Sequence, residues 1–224
     1  MVGASPSLIY KKLRQRFGFL DWWPGDTKFE IFVGAILTQQ TSWRNVEKAI
    51  ANLKSEDCLN LKTLSDIRVQ KLESLIRPSG FYRQKARRLS GICKNVEKDY
   101  GSLHKLFSLE KGKLREVLLS YDGIGNETAD SIILYAAEKP VFVIDAYTRR
   151  AMHRIDPTIK EDMAYDQLQG YFESRVEKRL DLYKDMHAQF AELGKRHCRT
   201  KPLCAGCPMN DICRYGRRAL IRKS

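Results

Sequence analysis

Apolar residues recur at steps of three and four along nearly the whole chain. Leu8, Ile9, Leu13 and Phe17 keep that spacing near the start. Phe29, Phe32, Val33, Ile36 and Leu37 form a broader face, and Leu114, Val117, Leu118 and then Ile132, Ile133, Ala136 repeat it. This is the period of an amphipathic helix, not the two-residue alternation of a half-buried strand. Val141-Phe142-Val143-Ile144 is the one strand-like run, short enough to be extended chain entering a helix. Turn signals at Pro24-Gly25, Pro78-Ser79-Gly80, Gly123-Ile124-Gly125 and Asp156-Pro157 divide the segments. The pattern predicts an all-α protein of about ten helices ending in a cysteine-rich tail. No internal repeat or low-complexity stretch interrupts it.

Composition adds a partner to this picture. With 224 residues, 43% hydrophobic and 30% charged, the chain can bury one large core or two small ones. Its formal net charge is +13, and the charge is clustered. Residues 77–88 hold Arg77, Arg83, Lys85, Arg87 and Arg88 with no acid, and residues 194–224 hold nine basic residues against Asp211 alone. Such clusters point to an anionic polymer. No apolar run approaches the ~20 residues of a membrane span, so no membrane partner is expected. The basic, acid-free first twenty residues faintly resemble a transit peptide, but their helical spacing predicts a folded first helix.

Cysteine usage points to a reducing compartment and a metal site. Cys58 and Cys93 are isolated, whereas Cys198, Cys204, Cys207 and Cys213 read C-x5-C-x2-C-x5-C. Four thiolates on loops broken by Pro202, Gly206 and Pro208 can hold zinc or an iron–sulfur cluster. One short spacing flanked by two wide ones favours the larger [4Fe–4S] cubane. Upstream, Gly123-Ile124-Gly125 reads as a tight turn between two helices. Backbone amides at Asn126 and Thr128 then open the second helix as an anion site, although an ordinary helix corner has the same pattern. Asp145 ends the apolar run 141–144, where an acid serves as a helix N-cap or as a catalytic carboxylate. All the tryptophans, Trp22, Trp23 and Trp43, fall early in the chain. From position alone they suit core packing.

The order of Gly-x-Gly hairpin, Val143-Ile144-Asp145, Arg149 and Arg154, and four-cysteine tail resembles the endonuclease III superfamily of helix–hairpin–helix DNA glycosylases. The likeness runs over residues 28–215. It implies two helical lobes. Residues 22–135 form one, with the hairpin near 114–137. Residues 1–21 plus 136–224 form the other, carrying Asp145 and a [4Fe–4S] loop at 198–213. Leu37-Thr38-Gln39-Gln40-Thr41 resembles the segment whose glutamine, here Gln39, fills the space left by an extruded base. Ser79-Gly80-Phe81-Tyr82-x-x-Lys85-Ala86 resembles a second family motif. The first cysteine spacing is one residue shorter than the family's C-x6-C-x2-C-x5-C, with every ligand retained. The implied partner is double-stranded DNA containing a damaged base, bound by a monomer. The implied setting is the cytoplasm and nucleoid, or the nucleus or mitochondrion of a eukaryote.

One substitution narrows the chemistry. Where endonuclease III has a lysine two residues past the hairpin, this chain has Glu127, and a carboxylate forms no Schiff base. The resemblance leaves Asp145 to work with water. Trp22-Trp23-Pro24, Lys28-Phe29-Glu30, Arg77-Pro78-Ser79-Gly80-Phe81-Tyr82 and Glu127 are similar to the 3-methyladenine DNA glycosylase branch. That branch lines its base pocket with positions matching Trp22, Trp23, Trp43, Glu127 and, after Gly194, Lys195. A base alkylated at N3 or N7 is cationic, and an indole face attracts it by ~0.5–2 kcal/mol. The cluster is expected to be structural, holding Lys195, Arg196, Arg199, Arg214 and Arg217 against phosphate. The expected activity is monofunctional release of 3-methyladenine or 7-methylguanine. The alternatives are an endonuclease III-like glycosylase and abasic-site lyase acting on oxidised pyrimidines or mismatched bases, and a non-enzymatic DNA-binding iron–sulfur protein.

Overall fold

The computed structural model describes residues 4–20 and 25–221, with side chains up to residue 218. Trp22 and Trp23 lie outside the described residues. The described chain is helical throughout, without a strand. Its helices are α1 (Pro6–Phe17), α2 (Lys28–Leu37), α3 (Trp43–Ser55), α4 (Leu61–Asp66), α5 (Val69–Leu75), α6 (Tyr82–Tyr100) and α7 (Leu103–Ser108). They continue with α8 (Lys111–Ser120), α9 (Asn126–Ser131), α10 (Ala146–Ile155), α11 (Tyr165–Glu173), α12 (Leu180–Arg196) and α13 (Arg214–Ile221). Periodicity alone suggested fewer. The surplus lies in α4, α5 and α7, which at one to two turns are too short to show a repeating apolar face.

The chain forms two compact units, Trp23–Lys139 and Met1–Trp22 with Pro140–Ser224. In the first, α2 is the central helix. Thr27 caps it by accepting from the Glu30 amide, and every residue from Phe32 to Leu37 is buried. A helix that is apolar on all sides needs neighbours on all sides, and α2 packs against α3, α6 and α9 and its continuation. That continuation, Ile132–Ala136, widens into a π-helical turn and is wholly buried.

In the second unit α12 is central and packs against α1 and α10. Helix α1 begins at the cap Ser5 and buries Ile9 and Leu13, as its spacing requires. Leu8 instead faces solvent, 41% exposed. Asp185 of α12 ties α1 down: it accepts from the Tyr10 hydroxyl at 2.6 Å and from the Leu20 amide at 2.9 Å.

The strand-like run Val141–Ile144 is extended and buried but pairs with no strand. Buried backbone groups need partners, and side chains of α11 and its first turn supply them. The Phe142 amide donates to Glu173, its carbonyl accepts from Gln169, and the Ile144 amide donates to the Tyr165 hydroxyl. This clamp delivers Asp145 to the start of α10. Among the described residues no helix is long and apolar enough to cross a membrane.

Candidate active site

Helices α8 and α9 with the turn Tyr121–Gly125 form a helix–hairpin–helix. Arg115 of α8 grips the buried Asp130 of α9 with two hydrogen bonds, at 2.8 and 3.2 Å, fixing the arms. The two glycines of the turn are not equivalent, contrary to their symmetric look in sequence. Gly123 has φ +80°, and a Cβ there would stand 2.4 Å from Cδ of Arg88. Arg88 pairs with Asp122 at 3.1 Å and lies across the turn. Gly125 has an ordinary φ of −95° and caps α9, and a Cβ added to it would meet open space. Gln39, in the turn after α2, donates to the Gly123 carbonyl at 2.8 Å and to the Thr128 hydroxyl at 3.0 Å. Gln39, Gly123 and Thr128 are thus brought together. The Thr128 side chain is buried, 8% exposed, with its hydroxyl engaged by Gln39. Asn126 and Glu127, in the first turn of α9, are more accessible.

Two residues of the Gly80–Lys85 motif have roles that their sequence hid. Lys85 belongs to the basic cluster by sequence, yet it is only 3% exposed. Its ammonium donates to the Leu37 carbonyl at 2.9 Å and to the Ser79 carbonyl at 2.7 Å. It therefore ties the end of α2 to the turn before α6, and burial lowers its pKa to about 8. It is not free to meet phosphate. Phe81, by contrast, is 63% exposed on a backbone with φ +46°. An aromatic held out by a left-handed turn is uncommon, and the motif carried the only signal for it. Trp43 opens α3 half-buried, with its ring against Gly34.

In the second unit Asp145 is the N-cap of α10. Its Oδ1 accepts from the Thr148 amide at 2.7 Å, and Oδ2 lies 3.5 Å from Nε2 of His187. The N-cap reading therefore holds, and the buried carboxylate has its second oxygen toward His187. Burial works to raise its pKa, but the neighbouring His187 and the Thr148 amide outweigh it, leaving the carboxyl below its ordinary value. His187, on α12 and 2% exposed, was missed in sequence because a lone histidine on a helix carries no motif. Gly194 lets the Tyr147 ring of α10 lie against α12, and an added Cβ would stand 2.2 Å from that ring. Lys195, next in the chain, is exposed in the last turn of α12. Its carbonyl accepts from Nε of Arg199 at 2.7 Å, so Arg199 also closes the helix end.

Cys198, Cys204, Cys207 and Cys213 line one cavity, walled by Ile155, Leu193 and Met209. Burial pushes the Cys207 thiol up to about 11 and raises Cys213 as well. A bare thiolate is disfavoured there, and a bound cationic centre would supply the missing charge. Among the described residues no three cysteine, histidine or acidic side chains group closely enough to hold a single ion. Four cysteines lining one cavity are a donor set that fits a thiolate-bound metal centre. Donors already point at these sulfurs, among them Arg154 at Cys198 and the Gly216 amide at Cys213, each at 3.3 Å. Arg150 and Arg154 of α10 also bind the carbonyls of Cys198 and Thr200.

An all-helical chain with a pinned Gly-x-Gly hairpin and an acid capping the helix after a buried extended run has the parts of a helix–hairpin–helix base-excision protein. The model of the HhH-GPD superfamily base excision DNA repair proteins matches residues 33–178, and the chain belongs to that superfamily as a DNA repair glycosylase. A Methanocaldococcus jannaschii protein provisionally named a DNA repair glycosylase is 45% identical over 92% of this chain and 94% of its own length. Endonuclease III of Thermotoga maritima is 29% identical over 85% of this chain and 84% of its own. Among solved structures, the H. pylori 3-methyladenine DNA glycosylase bound to 1,N6-ethenoadenine superposes with a TM-score of 0.76. It is 33% identical, covering 86% of this chain and 98% of that one.

Proposed function

We propose that this chain is a monofunctional glycosylase that hydrolyses the N-glycosidic bond of alkylated purines in duplex DNA. The observation that carries the proposal is Glu127, standing in the exposed first turn of α9 where a lyase would need an amine. A carboxylate cannot attack the sugar and trap it as an imine, so the reaction stops at an abasic site. The 33% identity to a 3-methyladenine glycosylase holding a purine adduct supports the purine class.

Asp145 is the catalytic carboxylate in this reading. A base alkylated at N3 or N7 is positively charged and leaves as a neutral molecule when the bond to C1′ breaks. The electron deficit passes to the sugar, where an ionised Asp145 stabilises it and accepts the proton of the water that adds to C1′. In this reading Trp22, Trp23, Trp43, Glu127 and Lys195 are the residues that recognise the base. In the same reading Gln39 fills the vacated stack, and the hairpin backbone at Gly123, Gly125, Asn126 and Thr128 meets the DNA backbone. Cys198, Cys204, Cys207 and Cys213 would hold a [4Fe–4S] cluster, which supplies a structural clamp on the basic tail, including Arg199, and takes no part in bond cleavage.

The test is a panel of duplexes containing 3-methyladenine, 7-methylguanine, thymine glycol or mismatched thymine, scored for base release and for strand cuts. Release of the methylpurines with intact strands, and no borohydride-trapped complex, is expected. Excision of thymine glycol with nicking would replace this reading by the endonuclease III one. Duplex binding without release of any base would leave only a DNA-binding role.

A further inference from the structure

We propose that His187 is a positioning residue for Asp145, holding in place the carboxylate oxygen that the helix cap leaves over. The inference rests on the reading of Asp145 as the catalytic carboxylate. A cap needs one oxygen, and Oδ1 provides it to the Thr148 amide at 2.7 Å. Serine, threonine or asparagine would cap as well. The second oxygen is where an aspartate differs, and there Nε2 of His187 stands 3.5 Å away. That is longer than a full hydrogen bond, so the contact is chiefly electrostatic.

The placement is built by the helix pair. His187, Ala191 and Gly194 follow one another at steps of four and three, on one face of α12. At Gly194 the absence of a Cβ admits the Tyr147 ring of α10. Contacts then run along both helices in the same direction: Asp145 with His187, Tyr147 with Gly194, Arg150 with the Cys198 carbonyl at 2.7 Å. The flanking positions Met186, Ala188, Phe190 and Ala191 are buried and apolar or small. Burying an imidazole among them is costly unless it meets a polar group, and a residue chosen only to fill space would be apolar.

Other charged groups near this pair are engaged elsewhere. Asp185 is bound to Tyr10 and, at 3.5 Å, to Arg14 of α1. On α10, Arg149 donates to the Met163 carbonyl and His153 meets the Ile159 carbonyl. The depression of the Asp145 pKa, against its burial, has His187 as its main favourable source. His187 thus keeps the carboxylate both ionised and aimed.

The experiment measures single-turnover base release across pH 3–8, duplex affinity and melting temperature for wild type, D145N, H187L and H187Q. The substrate is whichever damaged duplex of the panel the wild type processes. H187L should release base at least about tenfold more slowly with unchanged duplex affinity, its acid limb moved to higher pH. H187Q, whose amide reaches the Nε2 position, should recover most of the neutral-pH rate while keeping the shifted limb. An unmoved limb in H187Q overturns the proposal, even if H187L fails to fold. So do wild-type rates in both variants while D145N is dead. A D145N protein as fast as wild type would instead sink the reading of Asp145, and the proposal with it.

Discussion

Replacing Gly123 and Gly125 one at a time by alanine separates what holds the hairpin from what faces DNA. At Gly123 the φ of +80° is left-handed, and the new methyl would lie 2.4 Å from Cδ and 2.5 Å from Nε of Arg88. The backbone alone costs alanine about 1–2 kcal/mol. Arg88 must also move off the turn, losing Asp122, but that carboxylate is 85% exposed, so the pair adds less than about 1 kcal/mol. Disturbing the Gln39 hydrogen bond to the Gly123 carbonyl costs a further ~0.5–1.5 kcal/mol. The variant should therefore be destabilised by about 2–4 kcal/mol, or roughly 5–12 °C in melting temperature at this chain length. Gly125 has neither an unusual φ nor a neighbour within reach of a Cβ, so G125A should stay within about 0.5 kcal/mol of wild type. Its methyl nevertheless projects into the open space beside the first amides of α9. Duplex affinity, measured by fluorescence anisotropy at fixed salt, should fall in G125A while its melting temperature holds. Equal melting of the two variants would refute the turn geometry. Unchanged duplex affinity in G125A would refute the placing of phosphate there.

Asp145→Asn should release no base yet melt within about 1 kcal/mol of wild type, because asparagine caps a helix as well as aspartate; a stable variant with normal activity would make Asp145 a cap only. The folded Asp145 carboxyl lies below its unfolded value, so its contribution to stability is present above the unfolded value near ~3.9 and is lost as pH falls through the folded one. Acid titration of wild type against Asp145→Asn by circular dichroism should show that difference. Lys85 is shifted the other way, from 10.5 to about 8. The unfolded chain then binds more protons between these values, and wild-type stability should rise by up to about 3 kcal/mol across that window. Lys85→Met should lack the rise in denaturation measured from pH 7.5 to 9.5; parallel curves would show that the ammonium is not held as described. Iron and sulfide analysis should find near four of each per chain, with absorbance near ~400 nm, and stoichiometric zinc in a colourless protein would refute the cluster.

Much of this protein is written in short-range pattern. Helical class follows from the spacing of apolar residues, because a helix repeats over a few positions and needs no knowledge of its neighbours. The hairpin glycines, the cysteine spacing and Asp145 as a cap are local in the same sense. Their order along the chain carried the family. What the folded chain decided concerns residues distant in sequence. Lys85 and Arg83 look alike as charges, and only packing buries Lys85 between the carbonyls of Leu37 and Ser79. Gly123 and Gly125 look alike as glycines, and only the path of Arg88 over the turn tells them apart. The run 141–144 has the composition of a strand, but α11 offers it side-chain partners and no ladder. Nothing near position 187 marks a functional histidine. Its proximity to Asp145 arises from the contact of α10 with α12 at Gly194, which is a property of two surfaces meeting and of neither segment alone.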